Sequence, residues 1–430
     1  MAKFMLIAFI LTIAIGFIAN MNQGIIALIV SYIAGCFIMG MKPAEVLAMW
    51  PMRIFFILLA TSLFYNFATL NGTLDKLSLN ILHKFGKQAK LFPIVGFMVA
   101  AVMSALGAGP YSVITLLCPI LFVIGEKTGM SKLMLGVGIC LGAVGAGAFP
   151  TCSSGAVING IISDIGYADK ALSYSFLVFG EALISFFIIY LLMYFFMFKG
   201  HKITAEDIVL DVPEPFDPVQ KKTLILIAVF VLANLLPSIL NVFIKTDFIA
   251  MLAKYNDVGF IAMILSGVAI AMKLADEQKA IKAIPWKTII MVGGISILVS
   301  IAVESGTIDL LVSAVNSTGS KAVVPGLMSG IASVMSLFSS STGVVLPTLY
   351  PTVPQISGAT GLAPALLLAV INTGSGLVSV SPLSACGALV LGCVPENEAS
   401  DIYKKLFMIA GICFACGLVI STVLGLIWPN

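Results

Sequence analysis

Two apolar stretches of this sequence are interrupted in the same way, and their correspondence restricts the fold more than any other feature. Residues 334–343 read VMSLFSSSTG, with four consecutive hydroxyl side chains inside a hydrophobic segment. Residues 102–110 read VMSALGAGP and lie 232 positions earlier. The same shift pairs Pro93 with Pro325, Pro119 with Pro351, Gly142 with Gly374 and Pro150 with Pro382. A register kept across both flanks indicates two halves of common design.

The composition indicates an integral membrane protein. The 430 residues are 60% hydrophobic and only 10% charged, with a mean hydropathy of +1.11. Soluble proteins carry about 25% charged residues, so this chain is expected to cross a membrane many times as helices. The net charge is +3, and no basic cluster with interleaved aromatics suggests a nucleic-acid partner. The eight cysteines show no CxxC and no Cys/His spacing, which favours core packing over metal binding or disulfides.

The fold class predicted is an all-α polytopic membrane protein made of two inverted-topology repeats. The first repeat is expected at 1–198, with a hairpin at about 91–125 and a broken helix at about 133–163. A polar cytoplasmic linker follows at 199–221. The second repeat, 222–430, has its hairpin at about 322–353 and its broken helix at about 362–395. Each repeat is predicted to have five crossings and one re-entrant hairpin, and an odd number of crossings inverts the second repeat.

The lysine distribution predicts the orientation. With the amino terminus outside, inner segments carry sixteen of the 23 basic residues and outer segments carry seven. The positive-inside rule therefore places both termini outside the cell inner (plasma) membrane. The polar stretches at 73–90 and 305–321, which precede the hairpins, are either interfacial helices or ordinary connecting loops.

The interrupted segments are the candidate substrate site. Lipid cannot hydrogen-bond buried hydroxyls, so these groups need protein or ligand partners. A half-helix that begins at a break directs bare N–H groups and a positive dipole end at the tip, where an anion can bind. Small residues can instead serve close helix packing. The predicted substrate-binding residues are Gly109, Tyr111, Thr151, Ser153, Ser340, Ser341, Thr342, Asn372 and Ser384.

Half-helices that end at the breaks offer bare carbonyls, which attract a cation. Together with neutral hydroxyls, these oxygens suit Na⁺ better than a transition metal. Two clusters, one in each half, would allow two ions per cycle. No cofactor is expected beyond Na⁺ as the coupling ion. The predicted cation-binding residues are Ser104, Gly107, Ala108, Gly142, Ser336, Ser339, Ser340 and Gly374.

Charged residues at membrane depth are scarce. Glu181 is the clearest carboxylate in the middle of a span, and it either titrates in proton coupling or makes a structural hydrogen bond. Arg53 is the only arginine and lies at a helix end, so hydroxyls, amides and helix dipoles are expected to hold an anion. No paired aspartates, serine–histidine or serine–lysine pair, or HExxH motif is recognisable at depth, so the chain is not expected to be an enzyme.

The broken segments resemble a known family. Residues 142–161, GAVGAGAFPTCSSGAVINGI, resemble the amino-terminal signature of the MatC-type malonate/dicarboxylate carriers. Residues 339–354, SSSTGVVLPTLYPTVP, and 381–395, SPLSACGALVLGCVP, resemble their carboxy-terminal half. The paired hairpins place the chain near the wider ion transporter superfamily, with the divalent-anion/sodium symporters and the TRAP large membrane subunit. The sodium symporters carry Ser-Asn-Thr at both tips; 340–342 match two of these positions and 108–110 match none.

The resemblance implies a function and an assembly. It predicts a secondary active transporter in the lipid bilayer that carries a small dicarboxylate, malonate or a C4-dicarboxylate, with Na⁺. The resemblance further implies a homodimer and elevator-type alternating access. The alternatives are the large membrane subunit of a TRAP transporter and a proton-coupled carrier.

Overall fold

The described part of the chain is helical throughout. The computed structural model describes residues 2–19, 21–85, 92–196, 213–244, 246–306, 321–337 and 339–428, and these contain no β-strand. The predicted all-α membrane architecture is confirmed. The first ten helices are α1 (Ala2–Ile18), α2 (Gln23–Tyr32), α3 (Pro43–Ala48), α4 (Met52–Leu70), α5 (Thr73–Phe85), α6 (Phe92–Met103), α7 (Gly109–Thr128), α8 (Lys132–Ala146), α9 (Ser153–Ile162) and α10 (Ala171–Phe196).

The remaining helices repeat this order. After Asp217 they are α11 (Pro218–Phe243), α12 (Asp247–Lys254), α13 (Val258–Ala271), α14 (Glu277–Lys282), α15 (Trp286–Glu304), α16 (Val323–Leu337), α17 (Ser341–Thr360), α18 (Pro364–Leu377), α19 (Ala385–Gly392) and α20 (Glu396–Ile427). Helices α6 and α7 correspond to α16 and α17, and the broken pair α8 and α9 corresponds to α18 and α19.

Six helical stretches of the described residues are long and apolar enough to cross a membrane, or seven if one bent pair counts as a span. Shorter apolar helices at Lys3–Gly16, Gln23–Ile38, Lys132–Ala146 and Val258–Ala271 accompany them. The multi-pass membrane character is therefore confirmed. The five crossings per half and the inverted orientation stay predictions.

Both interrupted segments are helix pairs whose chain changes direction at the break. In the first pair, a Cβ added at Gly96 on α6 would lie 3.0 Å from Leu121 Cδ1 on α7, so the two arms pack side by side. Both arms also pack on α8. In the second pair, α16 and α17 are bent by 117°. The re-entry of each hairpin from one face of the membrane remains a prediction.

The two halves exchange packing partners. Helix α2 of the first half packs on α15 of the second, and α13 of the second half packs on α4 of the first. In this part of the sequence the two halves are related by a shift of 234, which pairs Arg53 with Lys287 and Gly72 with Gly306. Under this shift α2 corresponds to α13 and α4 corresponds to α15. Only glycine fits at position 24 in the α2–α15 contact, because a Cβ at Gly24 would lie 2.2 Å from the Ile290 carbonyl oxygen. A reciprocal exchange of this kind is the packing expected of a pseudo-two-fold arrangement.

Some boundaries differ from the sequence prediction. Helix α11 begins at Pro218, inside the expected linker, because Asp217 and Gln220 form a capping box around a proline at the first helical position. The short helices α3, α12 and α14 were not predicted, and α20 begins ten residues earlier than the expected span at 406. Residues 199–212 of the linker and 307–320 of the second polar stretch lie outside the described residues.

Candidate functional site

A cavity of about 340 Å³ lies where the two hairpin tips meet the two broken spans. Its lining residues come from α4, both tips, the starts of α9 and α19, and the residues just before and within α15. None of the residues that line the cavity is charged. They are Leu58, Ser62, Tyr65, Asn66, Thr69, 107–112, Val144, Ser153, Ser154, Ala283, Pro285, Thr288, 339–342, Ser379 and 384–386.

Four helices begin at this cavity. The first residues of α7, α9, α17 and α19 are Gly109, Ser153, Ser341 and Ala385, and all four line it. Three of these helices are capped by the preceding side chain, because Cys152, Ser340 and Ser384 accept hydrogen bonds from Gly155, Gly343 and Gly387 N–H. Each cap uses only one of the four N–H groups that a helix start leaves unpaired. The positive ends of four helix dipoles therefore converge on one space.

The tip of the first hairpin depends on glycine. Gly107 has φ 99° and Gly109 has φ 73°, values that side-chain-bearing residues rarely adopt. A Cβ at Gly107 would also lie 2.0 Å from the Tyr65 ring of α4. The Tyr65 hydroxyl donates to the Thr151 carbonyl over 3.4 Å, which ties α4 to the turn between α8 and α9.

The tip of the second hairpin is tied by hydroxyl groups. Ser341 and Ser375 hydroxyls are 2.6 Å apart, and Ser336 donates to the Ser375 carbonyl over 2.7 Å. Ser339 donates to the Met335 carbonyl, and Ser340 also hydrogen-bonds with Tyr111 from the first hairpin. Most of the polar groups at this tip are thus satisfied within the protein.

The corresponding position of the first half is different. The hydroxyl oxygens of Ser104 and Thr151 are buried and have no hydrogen-bond partner among the described residues. Ser104 Oγ lies 3.3 Å from where a Cβ at Gly147 would be, at the end of α8. Buried hydroxyls normally find a partner, so two unpaired oxygens around the Gly147–Cys152 turn mark a place that a ligand can complete.

The two predicted glycines in the broken spans are packing positions. A Cβ at Gly142 would lie 2.3 Å from the Phe97 carbonyl oxygen, and one at Gly374 would lie 2.3 Å from the Ser329 carbonyl oxygen. Phe97 and Ser329 are themselves related by the shift of 232. The same close contact between hairpin arm and broken helix therefore occurs in both halves.

The cavity brings together most of the residues predicted from the sequence. Those that line it are Gly107, Ala108, Gly109, Tyr111, Ser153, Ser339, Ser340, Ser341, Thr342 and Ser384. The predicted residues that do not line it are buried: Ser104, Gly142, Ser336 and Gly374 lie in contacts between hairpin arms and broken helices, and Thr151 and Asn372 are buried elsewhere in the broken segments.

One wall of the cavity was missed by the sequence analysis. Ser62, Tyr65, Asn66 and Thr69 line it from α4, and Thr288 lines it from α15. The α4 residues follow the spacing i, i+3, i+4 and i+7, which places them on one helix face. This polar stripe inside an apolar span was the available signal.

Glu181 lies behind the cavity, on α10. Its carboxylate accepts one hydrogen bond from Ser185 over 2.8 Å and another from Thr373 on α18. Thr373 immediately precedes Gly374, so the carboxylate is hydrogen-bonded to the broken helix of the other half. Whether Glu181 titrates in proton coupling or serves only as a structural hydrogen-bond acceptor stays a prediction.

Comparison with known proteins agrees with this architecture. Residues 1–148 match the family model described as the dicarboxylate carrier protein MatC N-terminus. A search of curated proteins gave no significant match. Among solved structures, the YdaH transporter of Alcanivorax borkumensis is similar with a TM-score of 0.55 and 14% identity, over 89% of this chain and 86% of that one. The resemblance to the MatC-type carriers is thus confirmed over residues 1–148, and the chain shares its fold with the solved YdaH transporter.

Proposed function

We propose that this protein is a secondary active transporter of a small dicarboxylate, coupled to Na⁺. The match of residues 1–148 to the MatC model supports a dicarboxylate, malonate or a C4-dicarboxylate, as the substrate class. The transporter fold and the central cavity support a carrier. Broken helices that meet at a central site are typical of carriers with alternating access.

The observation that carries the proposal is the convergence of four helix N-termini on one uncharged cavity. Each helix start carries about +0.5 elementary charge, so the four together supply about +2, which matches a dianion. A dipole-lined site without arginine or lysine holds the anion less tightly than a bidentate ion pair does. Such a site suits a substrate that must also be released.

We propose that the dicarboxylate binds between the hairpin tips and the N-termini of the helices that begin at the cavity. Gly109, Tyr111, Ser153, Ser340, Ser341, Thr342 and Ser384 are the candidate substrate ligands that line the cavity. Hydroxyl and backbone N–H donors at these positions can reach two carboxylate groups from opposite sides. Ser62 and Asn66 on α4 add polar groups on the facing wall.

Na⁺ coupling is supported by the unpaired oxygens of the first half. Ser104 Oγ and Thr151 Oγ1 are neutral, buried and without partners among the described residues, and neutral oxygens are the ligands that a hard monovalent cation prefers. Carbonyls at the end of α8 and at the Gly107 turn are available nearby. In the second half Ser336 and Ser341 already bond to Ser375. We therefore expect the first-half site to depend more strongly on its side-chain oxygens.

The mechanism proposed is elevator-type movement in a homodimer, with both termini outside the plasma membrane. The lysine distribution and the resemblance to the carriers support this arrangement. The exchange of α2–α15 and α13–α4 packing between the halves supports a fixed body against which the hairpins and broken spans move.

Proton coupling is the second candidate, and Glu181 favours it. An acid within a membrane-spanning helix is a common device for moving protons. Its hydrogen bond to Thr373 links it to the broken helix α18.

The test is uptake into proteoliposomes with labelled malonate and labelled succinate. We expect uptake under an inward Na⁺ gradient at fixed pH, and little uptake under a pH gradient without Na⁺. Uptake that follows only the pH gradient would replace Na⁺ with H⁺ as the coupling ion. If neither dicarboxylate is taken up under either gradient, the proposed substrate class is wrong.

A further inference from the structure

Two cysteines from different halves lie near each other, one in the middle of α7 and the other just after the end of α19. Cys118 lies on α7, the second arm of the first hairpin, and Cys393 follows the last residue of α19. The two thiols lie close enough to interact electrostatically, and the helices that carry them are in contact. Cys118 is fully buried, whereas Cys393 is partly exposed.

Independent contacts place these two segments against each other. A Cβ at Gly136 on α8 would lie 2.5 Å from Val390 and 3.2 Å from Phe122. Val390 is three residues before Cys393, and Phe122 is four residues, or one helical turn, after Cys118. Helices α7 and α19 therefore meet where the thiols do.

The chemistry of the two cysteines is asymmetric. The neighbouring Cys118 thiol lowers the pKa of the Cys393 thiol, and a lowered pKa favours the thiolate form. Thiolate is the nucleophile in thiol oxidation, and a partly exposed thiolate beside a second thiol is the arrangement typical of redox-sensing cysteines.

We propose that Cys393 and Cys118 are an oxidation site for hydroperoxides, and that the disulfide they form fixes the first hairpin to α19. Cys393 thiolate attacks one peroxide oxygen, the O–O bond breaks, and the released hydroxide takes up a proton to give water. The sulfur of Cys118 then attacks the sulfenic sulfur of Cys393, the S–O bond breaks, and a second water leaves with the Cys118 proton. Two thiols are oxidised and one hydrogen peroxide is reduced to two waters.

The disulfide would act on the cavity through two helices. Helix α7 begins at Gly109 and α19 begins at Ala385, and both residues line the cavity. The thiol pair lies nine and eight residues further along these helices, about 12–14 Å away at 1.5 Å per residue. Both helices belong to the part that is proposed to move, so a bond at this point would not stop its movement as a whole. It would prevent the hairpin arm from separating from α19, which any opening of the cavity between these two helices requires.

The direct test uses the purified full-length protein treated with hydrogen peroxide, blocked with N-ethylmaleimide and digested for mass spectrometry. We expect a peptide pair linked through Cys118 and Cys393, and a rise in melting temperature that dithiothreitol reverses. In Cys118→Ser the link cannot form, and we expect dimedone to trap a sulfenic acid on Cys393. Cys36→Ser is the matched control, since Cys36 is also partly exposed, and it should keep both the link and the rise.

These readouts need no substrate, so their outcome is separate from that of the proposed transport. The proposal would be overturned if the wild-type protein formed no Cys118–Cys393 link. It would also be overturned if dimedone labelled other cysteines of Cys118→Ser but not Cys393. The functional readout rests on the proposed dicarboxylate transport. Peroxide should lower malonate uptake at least twofold in wild type and not in Cys118→Ser, and dithiothreitol should restore it; linked protein with unchanged uptake would refute the control of transport.

Discussion

Replacing Ser104 with alanine tests whether its hydroxyl is a cation ligand or a structural hydrogen-bond donor. Without Na⁺, the replacement should raise the free energy of unfolding in the first case and lower it in the second. Ser104 Oγ is buried without a partner among the described residues, whereas Ser336 Oγ, its counterpart at the shift of 232, donates to the Ser375 carbonyl over 2.7 Å. The two serines thus occupy equivalent positions with opposite hydrogen-bonding states. Ser336→Ala is therefore the matched control for Ser104→Ala.

The magnitudes follow from these states. An unsatisfied buried hydroxyl costs about 1–3 kcal/mol, so without Na⁺ Ser104→Ala should raise the free energy of unfolding by up to that amount. Ser336→Ala loses a made hydrogen bond and should lower it by about 0.5–1.5 kcal/mol. With Na⁺ bound, Ser104→Ala loses one ligand. A loss of about 1–3 kcal/mol corresponds to a roughly 5- to 150-fold weaker Na⁺ affinity.

The assay is thermal unfolding of the purified protein in NaCl and in choline chloride at equal ionic strength. A bound ion stabilises the native state by RT ln(1 + [Na⁺]/Kd), so the difference between the two salts reports Na⁺ affinity. We expect Ser104→Ala to melt higher than wild type in choline and to gain less from Na⁺. A variant that melts lower than wild type in choline and keeps the full Na⁺ response would refute the assignment of Ser104 as a cation ligand.

Three further predictions concern the tip, the helix contact and the acid. Ser340→Ala should weaken apparent substrate affinity by about 1–3 kcal/mol, or roughly five- to 150-fold, measured as the KM of uptake; an unchanged KM would make the hydroxyl structural. Gly374→Ala should destabilise the protein, because its Cβ would lie 2.3 Å from the Ser329 carbonyl oxygen, whereas Gly358→Ala, with open space around it, should not. Equal melting temperatures would contradict this. Glu181→Gln should leave Na⁺-driven uptake largely intact, since the glutamine carbonyl oxygen can still accept a hydrogen bond from a hydroxyl group. Uptake that follows only a pH gradient and disappears in this variant would move the coupling site to Glu181.

The positions of the helix breaks could be read from the sequence because glycine and proline act locally. Gly107 and Gly109 adopt positive φ, and Pro150 and Pro382 lie in the two interruptions of the broken spans. The shift of 232 then predicted that both interruptions belong to one design. Gly142 and Gly374 make matched close contacts with backbone carbonyls, and their role as cation ligands stays a prediction.

The pairing of individual hydroxyls could not be read in this way. Ser104 and Ser336 are identical in type and equivalent in position, yet only Ser336 reaches a carbonyl. The difference depends on side-chain rotation and on the distance between the hairpin arm and the broken helix. The spacing of Ser62, Asn66 and Thr69 marks a polar face on α4, but it does not show that this face is turned toward the hairpin tips, because that depends on how the spans pack together.

The position of Ser104 relative to Gly109 gives a physical reason for coupling the cation to the anion. Ser104 begins the π-helical turn that ends at Ala108, and Gly109 begins α7, whose N–H groups face the cavity. A Na⁺ ion bound by Ser104 and the carbonyls of this turn, as proposed, would fix the orientation of the α7 N-terminus and would add positive charge behind it. Both effects favour a dianion, and linkage requires that the dianion raise Na⁺ affinity by the same factor. On the proposed mechanism the five residues from Ser104 to Ala108 therefore connect the two ligands, and a carrier built in this way needs no charged side chain in its cavity.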